Sequence, residues 1–210
     1  MKHLNIFLVQ MENGKIFCLC LDNALLKKVK NLDYIPVGLG LKKFSSEWLT
    51  DKDGENISNK NSFYGEYTFH YWLWKNHLDS ISDNTWIGFC AYRRFWQNNN
   101  EKLKENFDIK NSVLNHIPEE WNNYDVILGD KISVDEINWM KVLKYGKKAL
   151  IRNPSAIFKK KRNIKFHFDM FHGCGVLDKA INLLNDQDKY DFKQFVYNET
   201  SYNQGNMFIC

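Results

Sequence analysis

An α/β fold, with a mostly parallel sheet flanked by helices, is predicted by three observations. Short apolar runs of five to seven residues recur along the chain; they are uninterrupted, not alternating; and helical or loop segments separate them. The length of 210 residues, with 44% hydrophobic and 15% aromatic content, suffices for one packed core and excludes the disordered class. One domain is therefore expected.

The first strand is expected at Leu4–Gln10 (LNIFLVQ) and the next at Ile16–Leu21. ALLKKVK then reads as one or two helical turns. Tyr34–Leu41 (YIPVGLGL) reads as a loop or strand edge, because Pro36 lacks a ladder donor and Gly38 and Gly40 weaken a strand interior. Thr50–Ser62 is polar and rich in turn formers, which predicts a surface loop. Phe63–His77 predicts a buried helix through Phe63, Tyr67, Tyr71 and Trp74, with Phe69, Trp72 and Leu73 beside them and Ser62 as its cap.

Trp86–Ala91 (WIGFCA) predicts a buried strand that ends on Tyr92, Arg93 and Arg94. Tyr124–Gly129 predicts another, and Asp130–Leu150 a loop followed by a helix. Leu177–Leu184 reads as part of a helix and Asn206–Cys210 as a last strand. Because the chain stops on a core strand, truncation at the C-terminal end, or a place within a larger protein, is expected.

Formal charge is +4, but 29 basic and 25 acidic residues are interspersed, which disfavours nucleic acid as a partner. The dense run Lys159 to Arg162 is read as a solvated surface loop, with anionic lipid, RNA or a partner as the alternatives. Five cysteines without a CxxC pair read as reduced core residues, not zinc ligands. No apolar run approaches the length of a membrane span or of a signal peptide, so a cytoplasmic protein, with peripheral inner-membrane contact at most, is expected.

Two guanidinium groups directly after an apolar strand need an anion or water, since burying an unpaired one is very unfavourable. In sheets of this class ligands sit at the carboxyl ends of strands, where Arg93 and Arg94 suit a phosphate; an ion pair with one of the chain's carboxylates, or plain exposure, is the competing reading. Glu66 is either a first-turn charge at a helix N-terminus or an acceptor for a sugar hydroxyl. His167, Asp169, His172 and Asp178 are candidates for a general base or, less readily, a metal site. His167 and Asp169 would share a strand face, Asp169 and His172 a helix face. Asp51-Lys52-Asp53 and Asp186-Gln187-Asp188 spell the DxD pattern of metal-dependent sugar transfer, but neither is expected to follow an apolar strand. GxGxxG, Walker A, GxSxG and HExxH motifs are absent.

The segments DGENISNKNSFYGEYTFHYWLWKN (53–76) and WIGFCAYRRFW (86–96), with NQGNMFI near the end, resemble the GDNIS, ELT, YWIWKN, HYRRYF and NMFI pattern of a family of bacterial capsular and exopolysaccharide glycosyltransferases. The resemblance spans most of the chain, loosely between Gln97 and Lys165. It implies a GT-A-like, Rossmann-like fold. It also implies transfer of a sugar from a nucleoside diphosphate donor, a UDP-sugar first among them, to a saccharide or lipid-linked saccharide acceptor. Carried over by position, Arg93, Arg94, Tyr92, Asn56 and Lys75 would bind the donor phosphates. Glu66, Asn76 and Asn206 would bind substrate, and His172 and Asp178 match family positions; with Asp169 from the same cluster added, the base of an inverting reaction is expected at Asp178, His172 or Asp169, in that order. Ala91 stands where the family has His, and Glu55 where it has Asp. The two arginines would neutralise the leaving diphosphate, with Mn2+ or Mg2+ optional and no metal ligand assigned. A nucleotide-sugar- or carbohydrate-binding module without catalysis is the alternative.

Overall fold

The computed structural model describes residues 14–97, 109–203, 205 and 207–210. The expected strand at Leu4–Gln10 and the site residue Asn206 lie outside the described residues. In chain order the elements are β1 (Gly14–Cys20), α1 (Leu26–Lys30), β2 (Ile35–Gly38), β3 (Leu49–Thr50), α2 (Asn61–Tyr64), α3 (Tyr67–Asn76), β4 (Trp86–Ala91), α4 (Ile109–Ser112) and β5 (Ile127–Leu128). They continue with β6 (Lys131–Ser133), α5 (Trp139–Tyr145), α6 (Lys147–Arg152), α7 (Ile164–His172), α8 (Val176–Ile181), α9 (Asp186–Asn198), β7 (Ser201–Asn203) and β8 (Phe208–Ile209). Two compact units result, 1–129 with 205–210, and 130–204.

The first unit is the mostly parallel α/β sheet expected, in the order β3-β2-β1-β4-β8-β5. β1 pairs in parallel with β2 and β4, and β2 in parallel with β3, while β8 runs antiparallel between β4 and β5. Alternation along β1 divides the core: Ile16, Cys18 and Cys20 face one layer with Val29 and Trp48, while Phe17 and Leu19 face the other with Phe69 and Trp72. A strand buried on both faces reads as a continuous apolar run, which is why β1 and β4 were visible. Cys18, Cys20 and Cys90 are free, buried thiols in this core.

Three expectations are corrected here. Tyr34–Leu41 contains a fully buried strand, β2, not a loop or sheet edge. Its proline is tolerated because β3 pairs only with Val37 and Gly38, so Pro36 lies beyond that ladder. Of the residues expected in the buried helix, Phe69, Trp72 and Leu73 are buried, together with Thr68, whereas Phe63 is 87% exposed, Tyr67 55% and Trp74 57%. Gly65, at φ 55, breaks the segment into α2 and α3 and rotates the buried face, and Ser62 caps neither helix. Tyr124–Gly129 yields only the two-residue β5, whose Leu128 is exposed.

The second unit sets α5–α9 around the antiparallel pair β6–β7, with cores at Val134, Ile164, Leu177, Ile181 and Val196 and at Val142, Ala149, Ala156, Phe166 and Met170. Asn138, Asn163 and Asn185 cap α5, α7 and α9 by accepting from Met140, Phe166 and Asp188 N–H. Arg162 is not part of a solvated loop. It is buried, stacks on Trp139, and donates to the carbonyls of Ala156, Asp135, Ile137 and Ile157. No helix among the described residues is long and apolar enough to cross a membrane.

Candidate functional site

The strand order reverses between β1, whose chain continues to β2 and β3, and β4 on its other side. Crevices at the carboxyl ends of strands form at such switch points. A cavity of about 450 Å³ opens there, lined by Leu19 and Leu21 from the end of β1, Leu39 after β2, Tyr92 after β4, and Asn61 through Glu66 from α2 and its break. Tyr92 N–H donates to Leu19 C=O at 3.2 Å, which fixes the residue over the cavity. Beneath it, buried Thr68 donates to Gly65 C=O and accepts from Asn61 Nδ2, both at 3.1 Å, tying two lining residues to α3.

Arg93 and Arg94 occupy a tight turn in which Arg94 N–H donates to Ala91 C=O. Both are exposed, and neither has an ion pair among the described residues. The Arg93 guanidinium lies 4.9 Å from the Tyr92 ring centre, and Gly205, at φ 83, leaves room where a Cβ would stand 3.2 Å from Arg94 Nη1. A planar cation beside a cavity-lining tyrosine can hold a bidentate oxyanion.

Asn56 and Asn76 shape the loop after β3. Asn56 donates to Lys52 and Gly54 carbonyls and accepts from Ser58, while Asn76 bonds the Glu55 backbone and the Trp72 carbonyl. Tyr71 Oη donates to Glu55 at 2.6 Å, and Trp72 Nε1 to the Asp53 carbonyl at 2.6 Å. Lys75 folds over the Trp74 ring at 3.9 Å, at the far end of α3 from Glu66. Glu66 lines the cavity and occupies the N-cap position of α3 without a side-chain capping bond.

Contrary to expectation, Asp51-Lys52-Asp53 does follow a strand, directly after β3. Asp51 is fully buried, and neither carboxylate oxygen has a partner among the described residues. The Thr68 hydroxyl lies beside it, but its one proton goes to Gly65. Burial pushes the Asp51 carboxyl above its ordinary value.

In the second unit the helical geometry for 167–172 is the one adopted. Lys165 pairs with Asp169 and, at 3.2 Å, with Asp178; Tyr197 Oη donates to Asp178 at 2.7 Å, and Gly175 N–H to Asp169 at 3.3 Å. Partial burial pushes Asp178 upward, but Tyr197 and Lys165 outweigh it and hold the carboxyl below its ordinary value. His172 packs on Phe168 at 4.5 Å and joins neither carboxylate. No three His, Cys, Asp or Glu side chains among the described residues converge on one point.

This arrangement extends over nearly the whole segment, 15–210, that matches the family described as Domain of unknown function (DUF4422). The chain belongs to that family. A DUF4422 chain of this length also resembles the solved apo structure of the WbbM bifunctional glycosyltransferase, with TM-score 0.53 and 23% identity over 94% of this chain and 33% of that one. At that identity the likeness is one of fold, and the chain spans about a third of the solved protein. No curated protein matches it.

Several residues of this DUF4422 chain escaped the sequence reading. Asn61, Ser62, Tyr64 and Gly65 line the cavity, and Lys165 and Tyr197 govern Asp178. Lys165 stands four positions before Asp169, a helical ion-pair spacing open to recognition. The cavity lining had no such signal, because only the break at Gly65 turns it toward the strand ends.

Proposed function

We propose that the chain transfers a glycosyl group from a nucleoside diphosphate sugar, in GT-A-like fashion, to a saccharide or lipid-linked saccharide acceptor of the kind used in capsular, exo- or lipopolysaccharide assembly. One observation carries the reading: a ligand-sized cavity at the strand ends of the switch point, with two exposed guanidinium groups, in no ion pair among the described residues, on the turn that supplies Tyr92. The cavity takes the donor, and Arg93 and Arg94 meet its diphosphate. As the bond from the sugar's anomeric carbon to the diphosphate oxygen breaks, the electron pair leaves on that oxygen. The arginines stabilise the growing charge.

Glu66 accepts from a donor sugar hydroxyl. An inverting transfer needs a base for the acceptor hydroxyl's proton, and the order of candidates is Asp178, His172, Asp169; within the second unit Lys165 and Tyr197 keep Asp178 in the ionised form a base needs. Asn56 and Asn76 act through the loop after β3, which they hold. A divalent cation is optional in this scheme, and Asp51 is a buried carboxylate, without a partner among the described residues, that has lone pairs to offer one.

The test is release of nucleoside diphosphate and formation of a glycoside by the full chain, over a panel of UDP-, GDP-, CDP- and dTDP-sugars. Arg93→Ala or Arg94→Ala should lower turnover by roughly a hundredfold or more, while EDTA leaves most of it. Inhibition by EDTA that manganese restores would overturn the metal-optional part. Tight sugar-nucleotide binding without turnover on any acceptor would assign the chain to a binding module.

A further inference from the structure

Residues 139–161 hold eight of the chain's 29 basic residues and none of its 25 acidic ones, so the rest of the chain is net acidic. The segment forms α5, α6 and two short 3-10 turns, Pro154–Ile157 and Lys159–Lys161. Each of the first three elements turns a small residue inward, Val142, Ala149 and Ala156, onto Phe166 and Met170. Their outward sides therefore belong to one surface of the second unit.

That surface is unusual in two respects. Large apolar side chains stand out from it: Ile151 is 81% exposed, Phe158 70%, and Met140, Tyr145 and Ile157 are exposed as well. Lysines and Arg152 are set between them, all exposed, and among the described residues only Lys159 has a carboxylate partner, Glu136 at 3.8 Å. Exposed aliphatic groups are unfavourable in water, and unpaired cations attract anions.

We propose that the outward side of residues 139–161 docks on an anionic lipid bilayer. The lysines sit at the negative headgroups and the apolar side chains enter the headgroup and acyl boundary. RNA is the weaker match. Seven of the eight cations are lysines, which lack the guanidinium fork, and Ile151, Ile157 and Met140 have no ring on which a base can stack. The proposal is independent of the transferase reading, because no residue of the cavity takes part.

The experiment is vesicle sedimentation of the full chain with phosphatidylcholine alone and with about 30% phosphatidylglycerol, over a salt series. Binding is expected to the acidic vesicles only and to weaken with salt. Lys159→Gln, Lys160→Gln and Lys161→Gln together should lower the partition coefficient by roughly a hundredfold, at about fivefold per charge. Ile151→Ser with Phe158→Ser should weaken binding without altering the thermal melt, since both are exposed. No binding by the parent chain, or binding unchanged in both variants, would overturn the proposal. So would preference for polyuridylate over the acidic vesicles, which would assign the surface to RNA.

Discussion

Asn76 grips the backbone of Glu55 from both sides: its Oδ1 accepts from Glu55 N–H at 3.0 Å, and its Nδ2 donates to Glu55 C=O at 2.9 Å. A third bond, to the Trp72 carbonyl, ties the same amide to its own helix. The loop that follows β3 is thus held by α3, whose Trp72 and Tyr71 add bonds to Asp53 and Glu55. Asn76→Ala should cost about 2–3 kcal/mol, from three lost bonds at about 1 kcal/mol each. Asn76→Asp should cost no less, because a carboxylate cannot donate to either carbonyl. The urea midpoint checks both.

Arg162 makes the same kind of argument in the second unit. Its guanidinium serves four carbonyls on two stretches of chain, and truncation leaves them without a donor. Arg162→Ala should cost about 3–5 kcal/mol. Arg162→Lys should recover less than half, since one ammonium cannot span the fork's acceptors. Denaturation by urea measures the difference. Equal stability of parent and Ala variant would show the bonds to be unimportant.

These two residues mark what the sequence disclosed. β1 and β4 were legible because strands buried on both faces must be continuously apolar, and the exposed arginine turn was legible because guanidinium groups resist burial. Arg162 was hidden in a run of like charges: one cation in four turns inward only because the chain supplies converging carbonyls, a tertiary fact. Asn56 and Asn76 were picked out by resemblance, but their work of holding the loop appears only in three dimensions. The aromatic helix misled because Phe63, Tyr67 and Trp74 satisfy helical spacing as well as Phe69 and Trp72 do. Composition cannot choose a face when both are aromatic.

His70 gives the fold a pH dependence. Its ring lies 4.4 Å from Phe89 and 5.6 Å from Phe208, its Nε2 is buried without a partner among the described residues, and burial lowers its pKa to about 4. The unfolded chain therefore takes up a proton near pH 6.5 that the folded chain refuses until about pH 4. Stability should fall as pH drops through that window, by up to about 3 kcal/mol, and level off below it. His70→Phe should remove this slope. A parent and variant with parallel stability profiles between those pH values would refute the assignment.

Asp51 runs in the opposite direction. Its carboxyl is fully buried after β3, lacks a hydrogen-bond donor among the described residues, and is pushed upward by burial. A carboxyl whose folded value lies above its unfolded one is protonated more readily in the native state. Stability is then lost as pH rises from about 4 through the folded value. Asp51→Asn removes the charge while keeping the shape, and its amide can donate to the Thr68 oxygen, whose own proton is committed to Gly65. The variant should be more stable than the parent at pH 7 by about 1–3 kcal/mol, the penalty of an unsatisfied buried group, with the gap closing below about pH 4. Urea titrations of both proteins at the two pH values decide it: a less stable Asn variant at neutral pH would mean that the carboxylate has a partner.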